Sequence, residues 1–348
     1  MLNSKNNHLK REIEEVFNGI SRQKKIHEAI LFVESSNDDF SVSFGYGGKN
    51  IRSPFFIASV TKLFITACIL ILLEEKKLSF DNFIINYFDK TTLEGLHNYK
   101  GEEYSNRLTI SDLLFHRSGL ADGLEEGGFL KQLLKDDFEL SFEEVLTKTK
   151  ELSSHFPLNT PKKAYYSDVN FSLLSKIIEK ITGETLSNVY KKYICVPLGL
   201  TNTYLPSSSN DFIPKIYYKN ESLHRPKFLT SSYNYDLVST AEDLMKFLKA
   251  FFNGSLFSSS IFEDLAIYRK LQMSMGPIHY GGGYMQIPMK SIYTLFRGKG
   301  ELIGHSGTTG SFAFYYPHKD LYFVGDLNQM ADPGLPIKLA MKLSMKLK

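Results

Sequence analysis

Residues 54–65 read Pro-Phe-Phe-Ile-Ala-Ser-Val-Thr-Lys-Leu-Phe-Ile. They lead into a predicted buried helix over 59–75, in which Ser59 and Lys62 are three residues apart and therefore share one helix face. A serine hydroxyl becomes a strong nucleophile only when a neighbouring base takes its proton. A lysine in an apolar pocket can act as that base, because burial lowers its pKa. The helix N-terminus would also favour an oxyanion that forms beside Ser59.

Ser-x-x-Lys spacing is by itself a weak signal, because the chain contains it twice. Ser21-Arg-Gln-Lys24 belongs to a predicted amphipathic helix over 5–26 and lies among charged residues, so we interpret it as a chance match. The copy at Ser59 differs, since a lysine among apolar residues is costly to bury without a function or a partner. An alternative stays open, in which Ser59 only caps the helix and Lys62 extends its ammonium group to water.

A second candidate segment reads Tyr166-Ser-Asp-Val-Asn170 and precedes an amphipathic helix predicted over 169–182. A tyrosine in the loop before this helix can transfer protons if nearby cations lower its pKa from about 10. The alternative is that Ser167 or Asp168 simply caps the helix and that Tyr166 packs beneath it.

A third candidate segment reads Gly304-His-Ser-Gly-Thr-Thr-Gly310 and lies between two short strand-like runs. Small residues at this place let a substrate backbone lie against a strand edge, and His305 and Ser306 could donate to a carboxylate or a carbonyl group. One alternative is a glycine-rich hairpin with an ordinary histidine. A phosphate-binding loop is a poor match, because the lysine and hydroxyl residue of that pattern and the helix after it are absent.

The order of predicted elements indicates an α+β fold. Strands are predicted near both ends of the chain, with mostly helices between them. We therefore expect an α/β lobe from residues 1–60 and 283–348, a mostly helical lobe from residues 61–282, and an active site in the cleft between the lobes. The predicted strands are 28–35, 40–46, 284–288, 291–296, 302–305, 311–316 and 321–326, and the further predicted helices are 109–116, 141–152, 240–252 and 336–347.

Composition excludes several classes of protein. Lys and Arg number 41 against 38 Asp and Glu, and this net charge of +3 gives no reason to expect a nucleic acid or an anionic membrane as partner. The two cysteines, Cys68 and Cys195, exclude a disulfide framework or a Cys-rich zinc site. No His-Glu-x-x-His or calcium-loop pattern occurs, so we expect no metal and no cofactor. The oligomeric state stays open.

Two features of the sequence bear on where the protein is located. The longest apolar run, 63–73, is too short for a membrane span, which needs about 20 residues. The polar N-terminal sequence lacks the apolar stretch of a secretory signal, so we expect a cytoplasmic protein.

The three segments, in this order, resemble the serine β-lactamase and penicillin-binding-protein superfamily. The resemblance is to its class C-like branch, which includes esterases and D-alanyl-D-alanine peptidases that are often exported. Residues 108–120 and 237–244 are also similar to segments of this branch, so the resemblance covers about residues 28–348. It implies a β-lactamase/transpeptidase-like fold, with an antiparallel sheet flanked by helices and an inserted all-helical lobe.

The resemblance also implies roles for individual residues. Ser59 would be the nucleophile that forms an acyl-enzyme, and Lys62 and Tyr166 would share the proton transfers. The main-chain N–H groups of Ser59 and Thr308 would form the oxyanion hole. Substrate would be lined by Asp168, His305, Ser306 and Gly307.

Two positions depart from the pattern of the branch. Asp168 stands where asparagine is usual, and contact with Lys62 would favour the charged lysine. Tyr166 would then be the favoured base, but the same carboxylate opposes its ionisation, so the choice between Lys62 and Tyr166 stays open. His305 replaces a lysine that helps to hold a substrate carboxylate, which favours ester or neutral peptide substrates over β-lactams.

The sequence thus predicts a serine hydrolase that acts through an acyl-enzyme on a small ester, amide or D-amino-acid peptide. Its partner would be a small molecule or a short peptide. The alternative is a weak or inactive penicillin-binding relative that senses peptidoglycan fragments or β-lactams, and the presence of Ser59, Lys62 and Tyr166 favours catalysis.

Overall fold

An antiparallel sheet of eight strands forms the centre of the computed structural model, which describes residues 2–208 and 210–347. Six further strands form three small two-stranded sheets. In chain order the strands are β1 (Ala29–Ser35), β2 (Ser41–Tyr46), β3 (Phe55–Phe56), β4 (Asn98–Tyr99), β5 (Glu102–Glu103), β6 (Ile216–Tyr218), β7 (Glu221–Leu223), β8 (Val238–Ser239), β9 (Arg269–Lys270), β10 (His279–Gly281), β11 (Tyr284–Pro288), β12 (Glu301–Ser306), β13 (Ser311–Tyr316) and β14 (Leu321–Asp326).

Helices surround this sheet and fill the middle of the chain. They are α1 (Leu2–Ser21), α2 (Thr61–Glu74), α3 (Lys90–Leu93), α4 (Ile110–Leu114), α5 (Phe129–Leu133), α6 (Phe142–Glu151), α7 (Asp168–Thr182), α8 (Leu186–Tyr190), α9 (Val196–Leu198), α10 (Pro226–Leu229), α11 (Ala241–Asn253), α12 (Ile261–Leu265) and α13 (Leu335–Lys346). Among the described residues, none of these helices combines the length and apolar character that a bilayer span requires.

The large sheet joins the two ends of the chain. Its spatial order is β2-β1-β14-β13-β12-β11-β10-β9, so β14 pairs with β1 on one side and with β13 on the other. Every residue of β14 is buried, which requires cover on both faces of the sheet. Helix α11 packs against β1, β13 and β14, and α13 packs against β12 and β13.

Helix α2 is deeply buried and carries Lys62, the lysine of the Ser-x-x-Lys motif. Leu63, Phe64 and Ile65 are each fully buried, and the Phe64 ring stacks on Phe247 of α11 with centroids 3.6 Å apart. Helix α7 packs against α2 and α4 and ends at Gly183, whose left-handed φ of 67° suits glycine. These contacts bring the start of α7 next to the start of α2.

Most predicted elements are present, and the predicted α+β class with an antiparallel sheet is confirmed. The strand predicted at 291–296 is wrong. There the chain forms a 3₁₀ turn (Ile292–Thr294), because the Thr294 hydroxyl accepts the Ser291 N–H at 3.3 Å, and Leu295 and Phe296 follow in the left-handed region.

The C-terminal group of strands in the large sheet begins earlier in the chain than predicted. It includes β9 and β10, which precede residue 283, and α11 packs on it although 240–252 was assigned to the helical lobe. The division of the chain at residues 60 and 283 stays a prediction.

Candidate active site

Ser59 lies in a 3₁₀ turn (Ala58–Val60) that leads into α2. Ala58, directly before it, has a φ of +44°, a conformation that non-glycine residues rarely adopt. Two hydrogen bonds hold this segment: the Ile57 N–H donates to Leu237 O at 2.9 Å, and the Ser311 hydroxyl donates to Ile57 O at 2.6 Å. The serine is therefore fixed by strands from the last third of the chain.

The turn between β12 and β13 lies directly against the Ser59 segment. The Thr309 hydroxyl donates to Phe56 O at 3.0 Å. A Cβ atom on Gly307 would lie 2.8 Å from Ile57 O and 2.9 Å from the Ala58 Cβ. Glycine at 307 is therefore what allows this turn to approach Ser59 so closely.

Lys62 is fully buried and points at both Ser59 and Asp168. Its Nζ donates to Ser59 Oγ at 3.0 Å and forms a hydrogen-bonded ion pair with the Asp168 carboxylate. The rings of Tyr166 and Tyr235 lie 5.1 and 5.5 Å from Nζ, within the range of cation–π attraction. The alternative in which Lys62 extends to water is therefore wrong.

Carboxylates decide the charge of Lys62. Burial opposes its ammonium form, but attraction by Asp168 and Asp236 outweighs burial, and the pKa of Lys62 is raised. The net shift is opposite to the one expected from burial alone, and it agrees with the expectation that contact with Asp168 favours the charged lysine. Lys62 is an ammonium ion in the resting site.

Tyr166 is protonated in the resting site as well. Burial and then the charge of Asp168 raise its pKa well above the usual value, and a contact with the Ser59 hydroxyl only partly offsets this. Its main-chain N–H donates to Gln272 Oε1 at 2.9 Å, and its ring packs on His116 at 4.5 Å between centroids. In the resting site Tyr166 is therefore a protonated phenol beside Ser59, and it can act as a proton donor.

Asp122 organises the start of α7. It accepts the main-chain N–H of Asp168 at 3.0 Å, a position where an acid also complements the helix dipole. Ser167 is the N-cap residue but makes no side-chain cap bond; its hydroxyl donates to Ala121 O at 3.2 Å. Burial and the charge of Asp168 raise the pKa of Asp122 to about 8.

His305 is fully buried. Burial, and then the positive charge of Lys62, lower its pKa to about 3, so the ring is neutral. Nδ1 donates to Ser306 O at 2.8 Å, and within residues 2–208 and 210–347 Nε2 has no partner. Ser306 is also buried, and its hydroxyl faces Met285 Sδ at 3.9 Å. The predicted contacts of His305, Ser306 and Gly307 with substrate stay predictions.

Two main-chain donors face the same cleft as the Ser59 hydroxyl. In the described part of the chain, the N–H groups of Ser59 and Thr308 donate to no protein acceptor, and both residues line the cleft. An oxyanion hole requires such preorganised, unoccupied donors.

The cleft beside Ser59 has an apolar wall and an acidic end. Its volume is about 630 Å³, including space open to solvent. The apolar wall is formed mainly by Leu124, Leu130, Leu133, Phe228, Leu229 and Ile216, and the acidic end by Asp168 and Asp236. Arg225 also lines the cleft, but its guanidinium donates to three main-chain carbonyl groups, those of Leu133, Leu134 and His224.

Asp236 is a partly buried acid that the sequence analysis missed. Burial raises its pKa to about 7; Lys62 opposes this shift and Asp168 adds to it. No donor among the described residues reaches its buried Oδ1. Asp122, Tyr235 and His116 were missed as well. Asp122 follows Leu-Ala and Asp236 precedes Leu-Val, so an acid beside apolar residues is the weak signal that could have identified them.

Asp236→Asn is expected to flatten the pH dependence of stability. The folded chain holds a proton on Asp236 up to about pH 7, whereas the unfolded chain loses it near pH 4. The free energy of unfolding therefore falls as pH rises through this window, by on the order of 4 kcal/mol. Asparagine cannot titrate, so this loss should disappear. Urea unfolding at about pH 4 and about pH 7 measures this loss of stability, and Asp264→Asn, at an exposed position, is the control. If Asp236→Asn lost as much stability between these pH values as the parent protein, the raised pKa of Asp236 would be contradicted.

Comparison with known proteins gives consistent matches. The β-lactamase family model matches residues 42–341. A putative penicillin-binding protein, PbpX of Bacillus subtilis (strain 168), is 26% identical over 234 residues, which are 64% of this chain and 54% of that protein. A putative D-alanyl-D-alanine carboxypeptidase of Escherichia coli O157:H7 is 28% identical over 251 residues, 69% of this chain and 54% of that protein. The chain thus spans about half the length of the curated relatives it matches.

Solved structures share the fold. A D-stereospecific amidohydrolase from Streptomyces sp. superposes with a TM-score of 0.74 at 19% identity, covering 94% of this chain and 97% of that one. The D-amino acid amidase from Ochrobactrum anthropi SV3, complexed with D-phenylalanine, gives 0.76 at 18% identity, covering 97% and 98%. The predicted β-lactamase/transpeptidase-like fold is confirmed.

Proposed function

The chain belongs to the β-lactamase family, and we propose that it is a serine hydrolase that forms an acyl-enzyme at Ser59 on a small ester, amide or D-amino-acid peptide. The observation that supports this most directly is the position of Lys62 Nζ, 3.0 Å from Ser59 Oγ and paired with Asp168. A buried lysine in hydrogen-bond contact with a serine can take the hydroxyl proton once its own proton has passed to a partner such as Asp168.

Acylation begins with a proton transfer inside the ion pair. Lys62 passes a proton to Asp168, which leaves a neutral amine beside Ser59. As Ser59 Oγ bonds to the substrate carbonyl carbon, its proton moves to Lys62 Nζ, and the N–H groups of Ser59 and Thr308 stabilise the oxyanion. When the bond to the leaving group breaks, Tyr166 gives that group its proton and takes one from Lys62.

Deacylation uses the same groups in turn. Water gives a proton to the neutral Lys62 amine as its oxygen bonds to the acyl carbon. The bond from that carbon to Ser59 Oγ then breaks, and the serine oxygen takes the proton back from Lys62. Asp168 finally returns its proton to Lys62, which restores the resting ion pair.

The charge of the cleft limits the substrates. Asp168 and Asp236, the latter ionised only above about pH 7, lie at its acidic end, and the guanidinium of Arg225 donates to main-chain carbonyl groups. His305 is neutral and buried, so it offers no positive charge for a substrate carboxylate. We therefore favour neutral or amine-bearing substrates with an apolar group that packs on the leucine-rich wall.

A matched pair of substrates tests this proposal. We expect kcat/KM to be at least about 10-fold higher for an ester whose leaving group ends in a primary amide than for the same ester ending in a carboxylate, because like charges repel at short range. Steady-state hydrolysis with a chromogenic readout measures both values.

Two other outcomes would count against the proposed function. A preference for the carboxylate ester would contradict the proposed role of the acidic end. Stoichiometric acylation of Ser59 without turnover of any substrate would instead favour the alternative, a sensor of peptidoglycan fragments or β-lactams.

A further inference from the structure

The loop between β11 and β12, residues 289–300, exposes an unusual group of apolar side chains. Ile292, Tyr293, Leu295 and Phe296 are 67%, 58%, 71% and 63% exposed. Single exposed apolar residues are common on soluble proteins, but a contiguous group marks an interaction surface.

Hydrogen bonds hold this loop in the exposed arrangement. The N–H of Phe296 donates to Ser291 O at 2.9 Å, and that of Leu295 donates to Ile292 O at 3.1 Å. Thr294 is buried and its hydroxyl donates to Met289 O. The polar side chain at the middle of the loop thus points inward while its apolar neighbours point outward, the reverse of the usual partition.

Positive charge surrounds the apolar group. Lys290, Arg297 and Lys299 are exposed, and the sequence contains no acid between residues 289 and 300. The adjacent turn between β9 and β10 extends the surface. There a Cβ atom on Gly276 would lie 3.6 Å from the Tyr293 hydroxyl, and Met273 is 92% exposed.

We propose that the β11–β12 loop docks this protein on an anionic phospholipid bilayer. The four apolar side chains would enter the interfacial region, and Lys290, Arg297 and Lys299 would face the negative headgroups. A second copy of the chain fits less well, because a two-fold contact through this loop would place the same three cations against each other. The near-neutral charge of the whole chain gave no sign of this surface, because acids elsewhere balance it.

The position of the loop leaves the active site open. The loop ends where β12 begins, at Glu301, whereas Ser306 and Gly307 lie at the other end of that strand. Five residues of strand separate these ends by about 17 Å. Docking and hydrolysis are therefore separable, and the inference does not rest on the proposed function.

Vesicle flotation with the full chain tests the proposal. We expect at least about 10-fold more protein bound to vesicles of phosphatidylcholine with phosphatidylglycerol than to phosphatidylcholine alone, and weaker binding in high salt. The double variant Leu295→Asp/Phe296→Asp should reduce binding at least about 10-fold. Aspartate tolerates the left-handed φ of these positions, so the variant should fold.

A matched control isolates the effect of the loop. Phe212→Asp changes another aromatic residue, 62% exposed, outside the loop and should leave vesicle binding unchanged. Hydrolysis of a soluble ester should be the same in all three proteins. Absence of binding to anionic vesicles, or equal binding to both lipids, would overturn the proposal. So would a concentration-dependent dimer, seen by sedimentation, that the double variant abolishes without any vesicle binding in the parent protein.

Discussion

Replacement of Ser59 by alanine is expected to lower kcat by about 10⁴-fold or more, because the variant lacks the hydroxyl that forms the acyl bond. Stability should change by less than about 1 kcal/mol, since the variant loses one hydrogen bond to a lysine that keeps its carboxylate partner. Ester hydrolysis gives the rate. Peptide mass spectrometry after treatment with a fluorophosphonate shows whether the label is on Ser59 in the parent protein and missing in the variant.

Ser21→Ala is the matched control, because Ser21 belongs to the second Ser-x-x-Lys match in the chain. This variant should keep full activity and full labelling. A label on Ser21, or unchanged turnover in Ser59→Ala, would remove Ser59 from the proposed mechanism.

Lys62→Met is expected to abolish most activity and also to destabilise the fold. Methionine fills a similar volume but leaves Asp168 and Asp236 without their cation, and breaking a buried pair in this way costs about 3–5 kcal/mol. Loss of the proton acceptor should lower kcat by about 10³-fold. The uncompensated acids take up protons more readily, so the stability deficit should be smaller at about pH 5 than at about pH 8. Urea unfolding at the two pH values measures this difference.

Asp168→Asn separates the charge pair from the lysine itself. It removes the largest attraction that raises the pKa of Lys62 but keeps the amine. If the neutral amine takes the Ser59 proton, the acidic limb of the kcat/KM profile should move to lower pH. A limb that stays in place would exclude Lys62 as the proton acceptor and favour Tyr166.

The sequence identified the segments of the site because each has a local signature. Ser59 and Lys62 open an apolar helix, Tyr166 precedes an amphipathic one, and the glycines around His305 separate two strands. Periodicity and turn residues report such local features well. The order of the three segments then indicated the family and its fold.

The electrostatics of the site had no comparable signature. Asp122 contacts Asp168, and Asp236 acts on Lys62, only through tertiary packing. Asp168, and after it Asp236, raise the pKa of Lys62 against the effect of burial. The strand prediction for residues 291–296 was wrong for a related reason. Its apolar composition predicts a strand, but the hydrogen bonds of the Thr294 hydroxyl to the main chain of Ser291 and Met289 stabilise a turn.

The pairing of β1 with β14 has a consequence for biosynthesis. The hairpin of β1 and β2 is complete by Tyr46, but its partner strand is finished about 280 residues later, at Asp326. At a translation rate of about 5–20 residues per second, the β1 edge of that hairpin stays unpaired for tens of seconds before β14 has been synthesised. The catalytic centre, which depends on the strands from the end of the chain, therefore cannot assemble until synthesis is almost over.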